Sequence, residues 1–119
     1  MKDAVLEQID QLTLKQVPDP QAGPGQLVIR VEACGVCGTD VKLYRGHYTA
    51  RVPVILGHEF AGEVIAVGDG VKQLKVGDRV VVDPNESCGE CDWCRSARPT
   101  FCSDLAAYGV LRDLSLIHI

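Results

Sequence analysis

The chain has 119 residues, with 12 basic and 16 acidic side chains and a formal net charge of −4. That length holds one domain, able to bury roughly two-thirds of its unfolded surface. The acidic balance offers no basic footprint for a nucleic acid, and no apolar run reaches the length of a membrane span. Apolar residues at 46% and charged residues at 24% describe an ordinary globular composition. Twelve glycines and six prolines suit strands and turns better than a helical bundle. Six cysteines without a secretory signal point to a reducing cytoplasm, where thiols are available to metal.

In chain order, Ala4-Val5-Leu6 and Leu12-Thr13-Leu14-Lys15-Gln16-Val17 alternate with period two around Ile9-Asp10-Gln11, which predicts a hairpin. Pro18, Pro20, Gly23, Pro24 and Gly25 form a loop, and residues 26–33 form a strand of β-branched character. Thr39 or Asp40 is placed to cap a short helix through Val41-Lys42-Leu43-Tyr44, which Gly46 ends. Phe60 to Val67 is a long apolar strand, interrupted at Gly62 where a bulge or a close backbone approach is expected. After turns at Gly68-Asp69-Gly70 and Lys75-Val76-Gly77-Asp78, Arg79-Val80-Val81-Val82-Asp83 is a further strand. Pro84 then opens a cysteine-rich lobe spanning residues 84–104.

That lobe carries the strongest chemical signal. Cys88, Cys91, Cys94 and Cys102 read C-x2-C-x2-C-x7-C, four thiols within fifteen residues. Zinc takes four thiolates tetrahedrally at roughly 2.3 Å, and short loops of this kind bring sulfurs into that arrangement locally. Gly89 permits a tight turn after the first thiol, and Pro99 helps direct the chain back for the fourth. The competing readings are two disulfides or four unrelated thiols. Overlapping disulfides at this spacing would be strained, so a closed structural zinc site is the expectation. With every position filled by protein, such a zinc holds the lobe and does no chemistry.

Cys37, His58 and Glu59 form a second constellation, weak on residue type alone. Cys37 follows a predicted strand, and His58-Glu59 stands at the entrance of the next. Catalytic zinc sites draw three ligands from separate elements and leave a position open. A lone cysteine or histidine is more often packed or solvated than ligated. Cys34 reads as a buried small hydrophobe and His47 as a loop histidine.

Taken together in order, Gly35-Val36-Cys37-Gly38-Thr39-Asp40, Gly57-His58-Glu59-Phe60-Ala61-Gly62-Glu63-Val64, Val76-Gly77-Asp78-Arg79-Val80 and the four-cysteine lobe resemble the zinc-dependent medium-chain alcohol and polyol dehydrogenases. The likeness runs over nearly all of residues 1–113, and residues 41–46 and 83–85 lean toward the sorbitol dehydrogenase-like branch. The resemblance implies a mostly β fold: a GroES-like, partly open β-barrel with a short helix and a zinc-held lobe. A Rossmann domain would normally follow. It implies Cys37, His58 and Glu59 as ligands of a catalytic zinc, with Glu59 either on the metal or just behind it. Thr39 would pass on the alcohol proton and Asp40 would orient the histidine. Cys88, Cys91, Cys94 and Cys102 would hold a structural zinc. The implied reaction moves a hydride between a small alcohol or polyol and NAD or NADP, in a cytoplasmic homo-oligomer.

No G-x-G-x-x-G follows a strand, so the nicotinamide site is expected outside these residues. Residues 114–119, Leu-Ser-Leu-Ile-His-Ile, look like translated adapter read-through and are taken as a non-native tail, His118 included. The domain expected is therefore 1–113, a fragment of a longer enzyme and inactive alone. The alternatives are a stand-alone zinc-binding structural or interaction domain, and a zinc-ribbon nucleic-acid module that the acidic lobe disfavours.

Overall fold

A computed structural model of the chain describes residues 2–111; the expected boundary at Asp113, the tail 114–119 and His118 lie outside the described residues. The predicted hairpin is β1 (Lys2–Gln8) and β2 (Gln11–Gln16), paired antiparallel from Lys2↔Gln16 to Gln8↔Gln11. Asp10 makes the turn at φ 60°, a left-handed conformation that aspartate tolerates better than most residues. β4 (Val54–Ile55) adds to the other edge of β1, giving the order β2-β1-β4.

The second sheet is β3 (Leu27–Gly35), β5 (Glu59–Val67) and β6 (Arg79–Val81), with β5 in the middle and all pairs antiparallel. The break expected at Gly62 is a close backbone approach: a Cβ there would lie 2.1 Å from the carbonyl oxygen of Arg30. The extra residue of the bulge is on the facing strand, Glu32, since Val31 pairs with Gly62 and Ala33 with Ala61. β6 ends two residues before the predicted Asp83, although Val82 still packs inward. A short ladder of β7 (Asn85–Glu86) and β8 (Ala106–Ala107) pinches the base of the cysteine lobe. Among the described residues these three sheets do not join into one closed ladder, which leaves the barrel partly open.

Two apolar clusters hold the sheets. Leu27, Ile29, Phe60, Val64 and Val82 fill the inside of the β3-β5-β6 sheet, and Leu6, Leu43, Val54 and Val110 join β1, β4 and the helix. Each such side chain contributes roughly 1.5–3 kcal/mol on burial. Burial along β3 stops after Ile29. Cys34, expected to be buried, is therefore exposed, because it lies beyond the part of the strand that the core covers.

The helix α1 (Gly38–Tyr44) begins earlier than predicted, and neither Thr39 nor Asp40 is its N-cap. Cys37 takes that position with φ −88° and ψ 157°; its Sγ accepts the Thr39 N–H, while Asp40 Oδ2 accepts the Cys37 N–H at 2.8 Å. This is a capping box with cysteine in the place usually held by serine or threonine. Gly46, at φ 69°, closes the other end, where the N–H groups of Gly46 and His47 donate to Leu43 and Lys42.

Candidate metal centres

In the lobe the four sulfurs converge as the spacing requires: one donor atom from each of Cys88, Cys91, Cys94 and Cys102 lies within 4.8 Å of all the others. Gly89 turns the chain at φ 76°, a helical turn α2 (Asp92–Arg95) carries Cys94, and Pro99 starts a 3-10 turn, Pro99–Phe101, that delivers Cys102. Neither short helix was legible beforehand; four residues are too few for a periodic pattern. Backbone N–H groups point at sulfur. Cys91 donates to Cys88 Sγ at 3.3 Å, Cys88 to Cys102 Sγ at 3.3 Å and Asp104 to Cys102 Sγ at 3.4 Å.

Such donors favour thiolates. The backbone N–H groups of Cys94 and Ser103 bring the Cys91 thiol down to about 6, and a neighbouring thiol bond deepens the effect. Burial, together with the Cys91 side chain, pushes Cys94 up to about 11. Cys91 and Cys94 sulfurs sit 3.5 Å apart, so negative charge on one opposes it on the next. A cation at the centre removes that conflict. All four free thiols, the donor geometry and the inward N–H groups fit zinc.

The second cluster is assembled from separated elements. Cys37 comes from the β3–α1 junction, and His58 and Glu59 from the β4–β5 junction, with their donor atoms within 4.8 Å of one another. Gly35 makes room: a Cβ there would meet Glu59 Oε2 at 2.7 Å. Asp40 is buried and serves both arms. One carboxylate oxygen holds the Cys37 backbone, and Oδ1 lies 3.3 Å from His58 Nδ1, off the line of a hydrogen bond. Thr39 brings its hydroxyl to 3.6 Å from Cys37 Sγ. A soft thiol, an imidazole and an adjacent carboxylate are a donor set suited to zinc.

Thr39 and His58 line one wall of a cleft of about 680 Å³ that His47, Tyr48, Asn85 and Leu105 help to enclose. The loop histidine His47 thus shares the cleft with two of the predicted site residues. No motif or periodicity marks the segment that closes it. Residues 106–110 form a strap: Tyr108 donates its N–H to the Pro84 carbonyl, Val110 accepts the Arg51 N–H, and Gly109 lies on Gly57. Only the glycine in Tyr108-Gly109 could have flagged it.

A mostly β domain with two clusters of zinc-type donors defines the class of protein. The sequence model of the alcohol dehydrogenase GroES-like domain matches residues 23–118, and the chain belongs to that family. It is 41% identical over 109 residues to sorbitol dehydrogenase of Bacillus subtilis strain 168, covering 88% of this chain and 31% of that protein. The short chain alcohol dehydrogenase RspB of Escherichia coli CFT073, solved with NADH, superposes with a TM-score of 0.89 at 41% identity, over 95% of this chain and 33% of that one. A cobalt- and zinc-bound thermostable alcohol dehydrogenase from Pyrobaculum aerophilum gives 0.86 at 32% identity, over 95% of this chain and 36% of that one. The chain thus spans about a third of the length of the relatives it matches.

Proposed function

We propose that this chain is the metal-bearing part of a zinc-dependent oxidoreductase that moves a hydride between an alcohol or polyol and a nicotinamide cofactor. The observation that carries this reading is the convergence of Cys37, His58 and Glu59 beside the cleft, with Asp40 behind them. Sorbitol as the substrate of the Bacillus relative and NADH in the RspB structure support the polyol class and the cofactor. The cofactor would be held by residues outside this chain.

Cys37, His58 and Glu59 would hold a catalytic zinc, and Cys88, Cys91, Cys94 and Cys102 a structural one. Bound at the first site, zinc supplies Lewis acidity that favours the ionised form of an alcohol near neutral pH. Asp40 Oδ1, 3.3 Å from His58 Nδ1, would favour the tautomer that carries its proton there and leaves Nε2 for the metal. Thr39 receives the alcohol proton at Oγ1 and passes it toward the cleft. His47, Tyr48 and Leu105 line the cleft but stand exposed, so in this chain the developing charge is not sheltered from water. Alone, without a nicotinamide site, the chain turns over no alcohol. Its six thiols are kept reduced in the cytoplasm.

Grafting residues 1–111 into the matching region of the Bacillus sorbitol dehydrogenase tests this. The graft should oxidise polyols with NAD, and the Cys37→Ala graft should not. A folded graft with no activity on any alcohol, or a Cys37→Ala graft with full activity, would sink the proposal.

A further inference from the structure

His58 and Glu59 hang on a three-residue connection, Leu56-Gly57-His58, between β4 in one sheet and β5 in the other. So short a link has little to fix its path, and Gly57 takes φ 121°, a conformation few other residues adopt. What lies against it is backbone. Gly109 is buried at φ 70°, and a Cβ on it would meet Gly57 at its carbonyl oxygen (1.9 Å), carbonyl carbon (2.5 Å) and nitrogen (2.8 Å). No side-chain rotation relieves contacts of that kind. The strap bearing Gly109 is itself held firmly. Tyr108 and Val110 on either side are 2% and 7% exposed, Tyr108 N–H bonds to Pro84, and the Arg51 N–H bonds to Val110.

We propose that Gly109 is a positioning residue for His58: its backbone, laid on Gly57, sets where the imidazole stands relative to Cys37 and Asp40. This rests on the reading of Cys37, His58 and Glu59 as a metal centre. Gly109 is not one of the donor residues. It acts by excluding the paths the 56–58 connection could otherwise take, and any side chain at 109 must push Gly57 away. Because β8 (Ala106–Ala107) begins four residues after Cys102, the strap also continues directly from the cysteine lobe.

The test compares wild type, Gly109→Ala and Gly70→Ala in the full 119-residue chain. Gly70 is the matched control, because its φ is 86° and nothing lies within 4 Å of an added Cβ. Both variants carry the same left-handed backbone strain, and only one disturbs Gly57. Cobalt(II) is titrated as the metal probe, since a four-thiolate site and a cysteine-histidine-carboxylate site absorb differently. Amide exchange over residues 57–60 is measured in the metal-free chain.

Gly109→Ala should fill the lobe as wild type does and bind cobalt about tenfold more weakly at the Cys37 cluster. Its amides at 57–60 should exchange about tenfold faster, while Gly70→Ala changes neither readout. Equal affinity and equal exchange for the two variants would overturn the proposal. If wild type takes up cobalt only in the lobe, the metal-centre reading fails, and the exchange comparison still decides the role of Gly109. Should Gly109→Ala not fold, Val110→Ala loosens the strap without touching Gly109 and should move both readouts the same way; wild-type values there would equally overturn it.

Discussion

The two clusters solve the same chemical problem, gathering zinc-type donors, in opposite ways. The lobe collects four thiols from fifteen consecutive residues, orients them with its own N–H groups, and uses almost none of the core. The Cys37 cluster takes its donors from two junctions 21 positions apart, and it exists only because β3 pairs with β5 and α1 starts just past the end of β3. A local site must bring most of its own order, since beyond the β7–β8 ladder at its base and the Trp93–Phe101 ring contact little of the fold reaches residues 84–104. An assembled site borrows order from the fold and can leave a ligand position open. The first carries its geometry in its own sequence, and the second depends on the fold around it.

If that contrast is right, removing metal should cost the lobe its fold and the other cluster only its function. The largest effect is expected for Cys94→Ser. Metal binding at such a site is folding free energy on the order of 10 kcal/mol, so bound zinc should fall by one per chain and residues 84–104 should become protease-sensitive. Unchanged zinc content with unchanged protection would break the comparison at its first half. Next comes Cys37→Ala in the grafted enzyme, where turnover should be lost while circular dichroism and lobe zinc stay as they were. A Cys37→Ala protein that unfolds like Cys94→Ser would erase the distinction between the two sites.

Smaller effects sharpen the second half. Thr39→Ala should lower kcat about 10²-fold, the scale of one lost proton-transfer group, with both metals retained. Should metal be lost as well, the hydroxyl supports the site instead of moving protons. Asp40→Asn should weaken cobalt binding at the Cys37 cluster about tenfold, because the amide replaces the carboxylate facing His58 Nδ1. It keeps an oxygen to cap Cys37, so the thermal midpoint should move little; a large drop would assign Asp40 to the helix alone.

The lobe was legible because its information is local: spacing alone sets the geometry of Cys88 to Cys102. The strand at 12–16, read from its period-two pattern, and that at 60–67, read as a long apolar run, were legible for the same reason. The second cluster emerged only when several short motifs were read together by resemblance, since no spacing rule joins Cys37 to His58. Besides the two short helices of the lobe, three features stayed hidden. Cys34 sits in an apolar-looking strand, and only the extent of the core tells which half of β3 it covers. Cys37 as N-cap defied expectation because thiols seldom cap helices. The strap over Gly57 depends on a contact across 52 positions that leaves no periodic trace.

The division of the interior into two apolar clusters has a calorimetric consequence. Cys37 and His58 each stand where the chain passes between the two: β3 and β5 feed one cluster, while Leu43 of α1 and Val54 of β4 feed the other. An ion shared by these two side chains is a crosslink between halves that otherwise adhere through a few strand junctions. Heating the metal-free chain should then give a broad or split endotherm, each half melting with its own midpoint. Filling the Cys37 cluster should merge the two into one sharper transition. Cooperativity, more than the midpoint itself, becomes the signature of occupancy at this site.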